Sequence, residues 1–157
     1  MKAPATLDPA GLAPLLTFVA GLDLRNPAAA RDALQREFPV DGAFLAGLFE
    51  HLEAGVIAGT ICHRGEAPVK WSRVFKATQE SQNLAADAVL MSAPGPRHRH
   101  PNGEVDLCFA HDGAPRFDGN PPGWTVDPPG IEHVPTVTGG TMLILYLLPG
   151  GAIEFLG

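Results

Sequence analysis

From Val69 to Leu156 the chain is cut at close intervals by glycine, proline, asparagine and aspartate, and this punctuation constrains the fold more than any other feature. Short runs rich in β-formers stand between the cuts: Val69 to Ala77, Ala88 to Ser92, Glu104 to Ala110, Gly123 to Val126, Thr141 to Leu148 and Ala152 to Leu156. The cuts are Pro94-Gly95-Pro96, Pro101-Asn102-Gly103, Asp112-Gly113, Pro121-Pro122-Gly123, Pro128-Pro129-Gly130, Gly139-Gly140 and Pro149-Gly150-Gly151. Runs this short, with turns this frequent, leave no room for the crossover helices of a parallel sheet. They predict an antiparallel β-sandwich or barrel. Half of the 18 glycines and half of the 16 prolines fall in these turns.

The first part of the chain carries a different period. Leu12, Leu15, Leu16, Val19 and Leu22 recur at helical spacing after Asp8-Pro9, which reads as an N-cap and first-turn proline. Asn26-Pro27 repeats the signal before Ala28 to Phe38. Asp41 is placed to cap a third helix whose stripe is Phe44, Leu45, Leu48, Phe49 and Leu52, ended by Gly55. The expected fold is mainly β, with this helical segment (1–60) packed on a barrel (68–157). With 157 residues, 45% hydrophobic and 18% charged, the chain suits one domain with one core.

The same composition excludes several partners. A net charge of −6, with Arg25, Arg31 and Arg36 offset by nearby acids, offers no surface for nucleic acid. The longest apolar run, Met142 to Leu148, is strand length, so no membrane helix is expected. Met1-Lys2-Ala3-Pro4 lacks the apolar stretch of a secretory signal, and Cys62 and Cys108 form no C-x-x-C pair. The expectation is a cytoplasmic protein whose two thiols are reduced and buried.

Chemistry concentrates between Arg97 and His133. In Arg97-His98-Arg99-His100 the histidines are two apart, which in a strand puts both imidazoles on one face and both arginines on the other. Pro101-Asn102-Gly103 then turns the chain, and Glu104 opens the returning strand toward the same face. One hairpin thus supplies two nitrogens and a carboxylate, a partial shell for one divalent transition ion: Zn, Fe, Mn or Ni. His133, after the Pro128-to-Glu132 turn, is the candidate fourth ligand. Asp106 and Cys108 share parity with Glu104, while Val105, Leu107 and Phe109 take the opposite face. Two readings of Asp106 stay open: a proton-moving group beside Glu104, or a salt-bridging residue at the rim.

A second face draws notice in Val69 to Lys76. Strand alternation sets Trp71, Arg73 and Phe75 together, which suits an aromatic acid: ring against ring, carboxylate on the guanidinium fork. An arginine at a subunit interface is the competing reading. Tyr146, alone in an aliphatic strand, needs a partner for its hydroxyl and joins these as a candidate substrate contact.

His98-x-His100-x-x-x-Glu104 flanked by Gly95 and Gly113, followed by Pro128-x-Gly130-x-x-His133, resembles the two motifs of the cupin superfamily, G…H-x-H-x(3,4)-E…G and P-x-G-x-x-H. The spacing to the flanking glycines differs, and Val137 stands where the second motif often has Asn. The resemblance spans residues 68 to 157 and implies a single jelly-roll barrel with its metal on the four residues named, commonly paired as a homodimer. The helical segment, the run His100-Pro101-Asn102-Gly103-Glu104-Val105-Asp106 and the ending Leu148-Pro149-Gly150-Gly151-Ala152-Ile153-Glu154-Phe155 look similar to the 4-hydroxylaminobenzoate lyase family. That implies conversion of 4-hydroxylaminobenzoate to 3,4-dihydroxybenzoate and ammonia in nitroaromatic degradation, a reaction for which Asp106 or Glu104 is the candidate catalytic proton carrier. Two alternatives accompany it: another cupin enzyme acting on a small acid (a dioxygenase or isomerase), or a metal-holding cupin without catalysis.

Overall fold

A computed structural model describes residues 1–157. Three helices, α1 (Ala13–Ala20), α2 (Pro27–Glu37) and α3 (Ala43–Ala58), precede nine strands. β1 (Arg64–Glu66), β2 (Val69–Phe75), β3 (Leu84–Met91), β5 (Glu104–Phe117), β6 (Gly123–Asp127) and β8 (Val137–Pro149) form a six-stranded sheet in the order β1-β2-β3-β8-β5-β6. β4 (His98–His100) lies between β7 (Ile131–His133) and β9 (Glu154–Phe155) in a small second sheet. Every pairing is antiparallel. The result is a jelly-roll of the cupin type, formed by two sheets rather than one continuously hydrogen-bonded barrel.

Strand alternation gives the large sheet two apolar faces. Val105, Leu107, Leu143, Leu145 and Leu147 point one way, into a core shared with Leu16, Leu34, Leu45, Leu48 and Leu52 of the helices. Cys108, Met142, Ile144, Tyr146 and Leu148 point the other way, into the interior with Phe117 and Val137. Burying both faces explains why Met142 to Leu148 reads as an unbroken apolar run. Two hydrogen bonds tie helix to sheet: the Trp124 indole donates to the Phe38 carbonyl at 2.9 Å, and Arg31 Nε donates to the Trp124 carbonyl at 2.9 Å.

Several boundaries depart from the pattern reading. Asp8 caps a tight turn, accepting from the Gly11 amide at 2.8 Å, and α1 begins only at Ala13. Asp41 does not cap α3: Gly42 holds that position without a side-chain bond. Gly55 lies inside α3, which runs on to a left-handed Gly59 at φ 77°. β3 starts at Leu84, earlier than expected, because alanine-rich Ala85-Ala86 carries little β signal by itself. β5 and β8 pass through Asp112-Gly113 and Gly139-Gly140, where register shifts bend the ladder without ending it. No helix is long and apolar enough to cross a membrane.

Candidate metal centre

The β4–β5 hairpin and β7 bring the four predicted ligands together. His98 pairs with His133 across β4–β7, so their side chains share one face. Gly103 adopts φ +82° in the turn, and a Cβ there would meet the Asp127 carbonyl at 2.9 Å. Only glycine lets the chain reverse this tightly, returning Glu104 beneath the histidines. The Nε2 atoms of His98, His100 and His133 form a triangle with sides of 2.8, 3.0 and 2.9 Å. Glu104 Oε2 is 2.8 Å from His100 Nε2. His98, His100 and Glu104 are buried and His133 nearly so.

The contact between His98 and His133 is not a hydrogen bond. His98 Nδ1 faces the Pro96 carbonyl at 3.1 Å, an acceptor only, so Nδ1 carries the proton. His133 Nδ1 likewise donates to Asp118 Oδ2 at 3.0 Å. Both Nε2 atoms therefore point bare lone pairs at one another, 2.9 Å apart. Buried lone pairs repel at that distance unless a cation lies between them. Ligands at right angles on a cation with bonds of about 2.1 Å would be about 3.0 Å apart, which the triangle matches. Both Glu104 oxygens are also buried without a hydrogen-bond partner. The donor set thus fits a divalent ion on all four residues.

The electrostatics agree. Burial, reinforced by mutual repulsion, pulls His98 and His100 down to about 4, so both are neutral ligands at neutral pH. At His133 burial acts downward too, but Asp118 and Asp127 outweigh it and the pKa ends raised. Glu104 and Asp106 are pushed well up, first by burial and then by neighbouring carboxylates. Asp127 belongs to this acidic group, with carboxylate oxygens of all three within 4.8 Å.

Asp106 is fully buried behind Glu104, as strand parity predicts, with neither oxygen hydrogen-bonded. It does not reach the cavity wall. Arg97 and Arg99 face outward onto Glu132 (2.7 Å) and Glu154 (3.8 Å). Asp118 is the residue that sequence reasoning missed. It sits in a turn at φ 48°, and its second oxygen accepts from the Thr136 amide at 2.8 Å, so it locks both the His133 ring and the loop after β7.

Beside His98 and Glu104 opens a mainly apolar cavity of about 280 Å³. Trp71, Arg73, Asp87, Tyr146, Leu148 and Phe155 are on its wall. Arg73, Asp87, Tyr146, Asp106 and Thr125 stand in one cross-strand row over β2, β3, β8, β5 and β6. The Tyr146 hydroxyl has one weak contact, Met91 Sδ at 3.9 Å. Phe75 departs from expectation. A bulge between Arg73 and Phe75 reverses strand parity, so Phe75 packs toward the helices and not into the cavity. The Arg73 fork is already engaged, with Nε and Nη2 donating to Asp87 at 2.8 and 3.3 Å.

Comparison with known proteins places this architecture. A family model described as "PnbB: 4-hydroxylaminobenzoate lyase" matches residues 13–155, which takes in the helices, the hairpin and β9. The chain belongs to this lyase family. A curated 4-hydroxylaminobenzoate lyase from Nocardioides sp. (strain LMS-CY) is 33% identical over 94 residues, 54% of either chain. The chain thus spans about half the length of the curated relative it matches. Among solved structures, an RmlC-like cupin from Ralstonia eutropha is 13% identical over 59% of this chain and 62% of its own, with a TM-score of 0.42. A protein described as a putative acetylacetone dioxygenase from Methylibium petroleiphilum is also 13% identical, over 57% and 66%, with a TM-score of 0.44.

Proposed function

We propose that this protein is a metal-dependent lyase that converts 4-hydroxylaminobenzoate to 3,4-dihydroxybenzoate and ammonia in the degradation of nitroaromatic acids. The observation that carries the reading is the convergence of bare Nε2 lone pairs and Glu104 beside an apolar cavity, in a chain of this lyase family. His98, His100, His133 and Glu104 would hold one divalent ion, which when bound supplies Lewis acidity toward the N–OH oxygen.

The reaction is a net exchange of water for ammonia, with no external oxidant. Protonation lets the N–OH oxygen leave as water, and positive charge spreads to the ring carbon ortho to nitrogen. Water adds there, and loss of a proton leaves an imine at the carbon bearing nitrogen. A second water displaces ammonia from that carbon, and the ring returns to aromaticity.

The protein's own groups supply position and protons. Trp71, Leu148 and Phe155 offer the ring an apolar wall, and the Arg73 N–H groups left free by Asp87 donate to the carboxylate. Tyr146 presents its hydroxyl between the two ends. Asp106, buried behind Glu104 with its pKa pushed well up by burial and by that carboxylate, is the group placed to exchange a proton with Glu104. The test is to strip the protein with a chelator, reload it with single metals, and follow catechol and ammonia release. Activity lost on stripping and restored by one metal supports the reading. Full activity in metal-free protein contradicts it.

A further inference from the structure

Resting on the aromatic-acid reading of the cavity, the Arg73–Asp87 pair also sets the charge that this end of the cavity tolerates. The two residues face each other across β2 and β3 and both line the cavity wall. Asp87 takes the Nε and Nη2 donors of the fork, so the guanidinium is fixed with its remaining N–H edge free. Its charge, however, is balanced. The other acid on the wall, Glu104, is committed to the metal centre, and no other lysine or arginine lines the cavity. A ligand arriving at this end meets directed donors but no surplus positive charge.

A monoanionic acid can use those donors while the metal centre supplies the distant counter-charge. A dianion brings a second charge that nothing at this end balances, and its repulsion from Asp87 is then decisive. The geometry points to Asp87 as a specificity-determining residue: it acts as a charge filter that admits monoanionic aromatic acids and disfavours dianions. The side chains of Arg73 and Asp87 are 40% and 24% exposed, so water screens the effect and about a tenfold discrimination is expected, not an absolute one.

The test uses two non-reacting probes, benzoate and phenyl phosphate, titrated calorimetrically into metal-loaded protein at pH 8, where the phosphate ester is a dianion. Wild type should prefer benzoate. Asp87→Asn keeps the side-chain shape while removing the charge, and should move the preference about tenfold toward phenyl phosphate. Adding Arg73→Gln should abolish that shift, because the unmasked guanidinium is what gains. Comparing the ratio between variants cancels any contact of either probe with the metal. An unchanged ratio in Asp87→Asn, or a shift that persists in the double variant, overturns the filter. Turnover of 4-hydroxylaminobenzoate by wild type, run in parallel, separates the two readings. Turnover without the shift removes the filter alone, and the shift without turnover removes the substrate assignment alone.

Discussion

His133 donates from Nδ1 to Asp118 at 3.0 Å, and that bond leaves the opposite ring nitrogen bare toward His98. A carboxylate behind a ligating imidazole fixes its tautomer and raises its basicity. Asp118→Ala should therefore weaken metal binding about 10–100-fold while the four ligands stay in place. Competition with a chromophoric chelator measures this. Wild-type affinity in the variant would reduce Asp118 to a loop anchor through Thr136.

His98 and His133 are paired on β4 and β7 of the small sheet but come from segments far apart in the chain, so each tests the ligand set from a different part of the sequence. His98→Ala and His133→Ala should each lose most bound metal, since each removes a buried nitrogen from a set of four. Elemental analysis of the purified variants decides it. Full occupancy in either one would take that histidine out of the metal shell.

Arg73 sits at the cavity rim, and its partial exposure limits what it contributes. Arg73→Ala should cost about 1.5 kcal/mol in kcat/KM for the acid, the lower end for a hydrogen bond to a charged group, with metal content unchanged. Arg73→Lys should restore little of that, because an ammonium cannot hold Asp87 and a second carboxylate in one plane. A neutral ester of the substrate provides the control. If it loses as much as the acid does, Arg73 supports the wall and does not read the carboxylate.

Neither cysteine should react in the folded protein. Burial pushes Cys62 up to about 12 and Cys108 well above the usual thiol range, so almost no thiolate is present at pH 8. Alkylation of both thiols should require denaturant. Fast labelling of native protein would show that the strands around Ser72 or Thr125 open readily.

Removing residues 1–60 should give aggregation, because Val105, Leu107, Leu143, Leu145 and Leu147 would lose the helices that cover them. Size-exclusion chromatography of the truncated chain checks this, and a monodisperse product would make the helical segment dispensable.

Much of the site is legible in the sequence because strand parity is strict where one face must be buried. Glu104, Asp106 and Cys108 point inward while Val105 and Leu107 point to the helices, as alternation predicts. His-x-His followed by a proline–glycine turn lets Glu104 return to the face of both histidines. Phe75 leaves the face that alternation assigns it because a bulge inserts one residue, and no residue type in Ser72 to Phe75 signals it. Asp118 was invisible for another reason: its partner is fifteen positions away and joined only by tertiary structure. The same holds for Asp87, an ordinary aspartate until its register opposite Arg73 is known. Glycine pairs misled for a third reason, since Gly139-Gly140 bends a continuous strand where composition reads a break.

The proposed reaction needs water and no oxidant. It is tested most directly by running metal-loaded enzyme on 4-hydroxylaminobenzoate under argon in ¹⁸O-labelled water, then analysing the product by mass spectrometry. The expected result is full turnover, one ammonia per 3,4-dihydroxybenzoate, and label in both ring hydroxyls. Turnover that requires dioxygen, or ring hydroxyls without label from water, would contradict it.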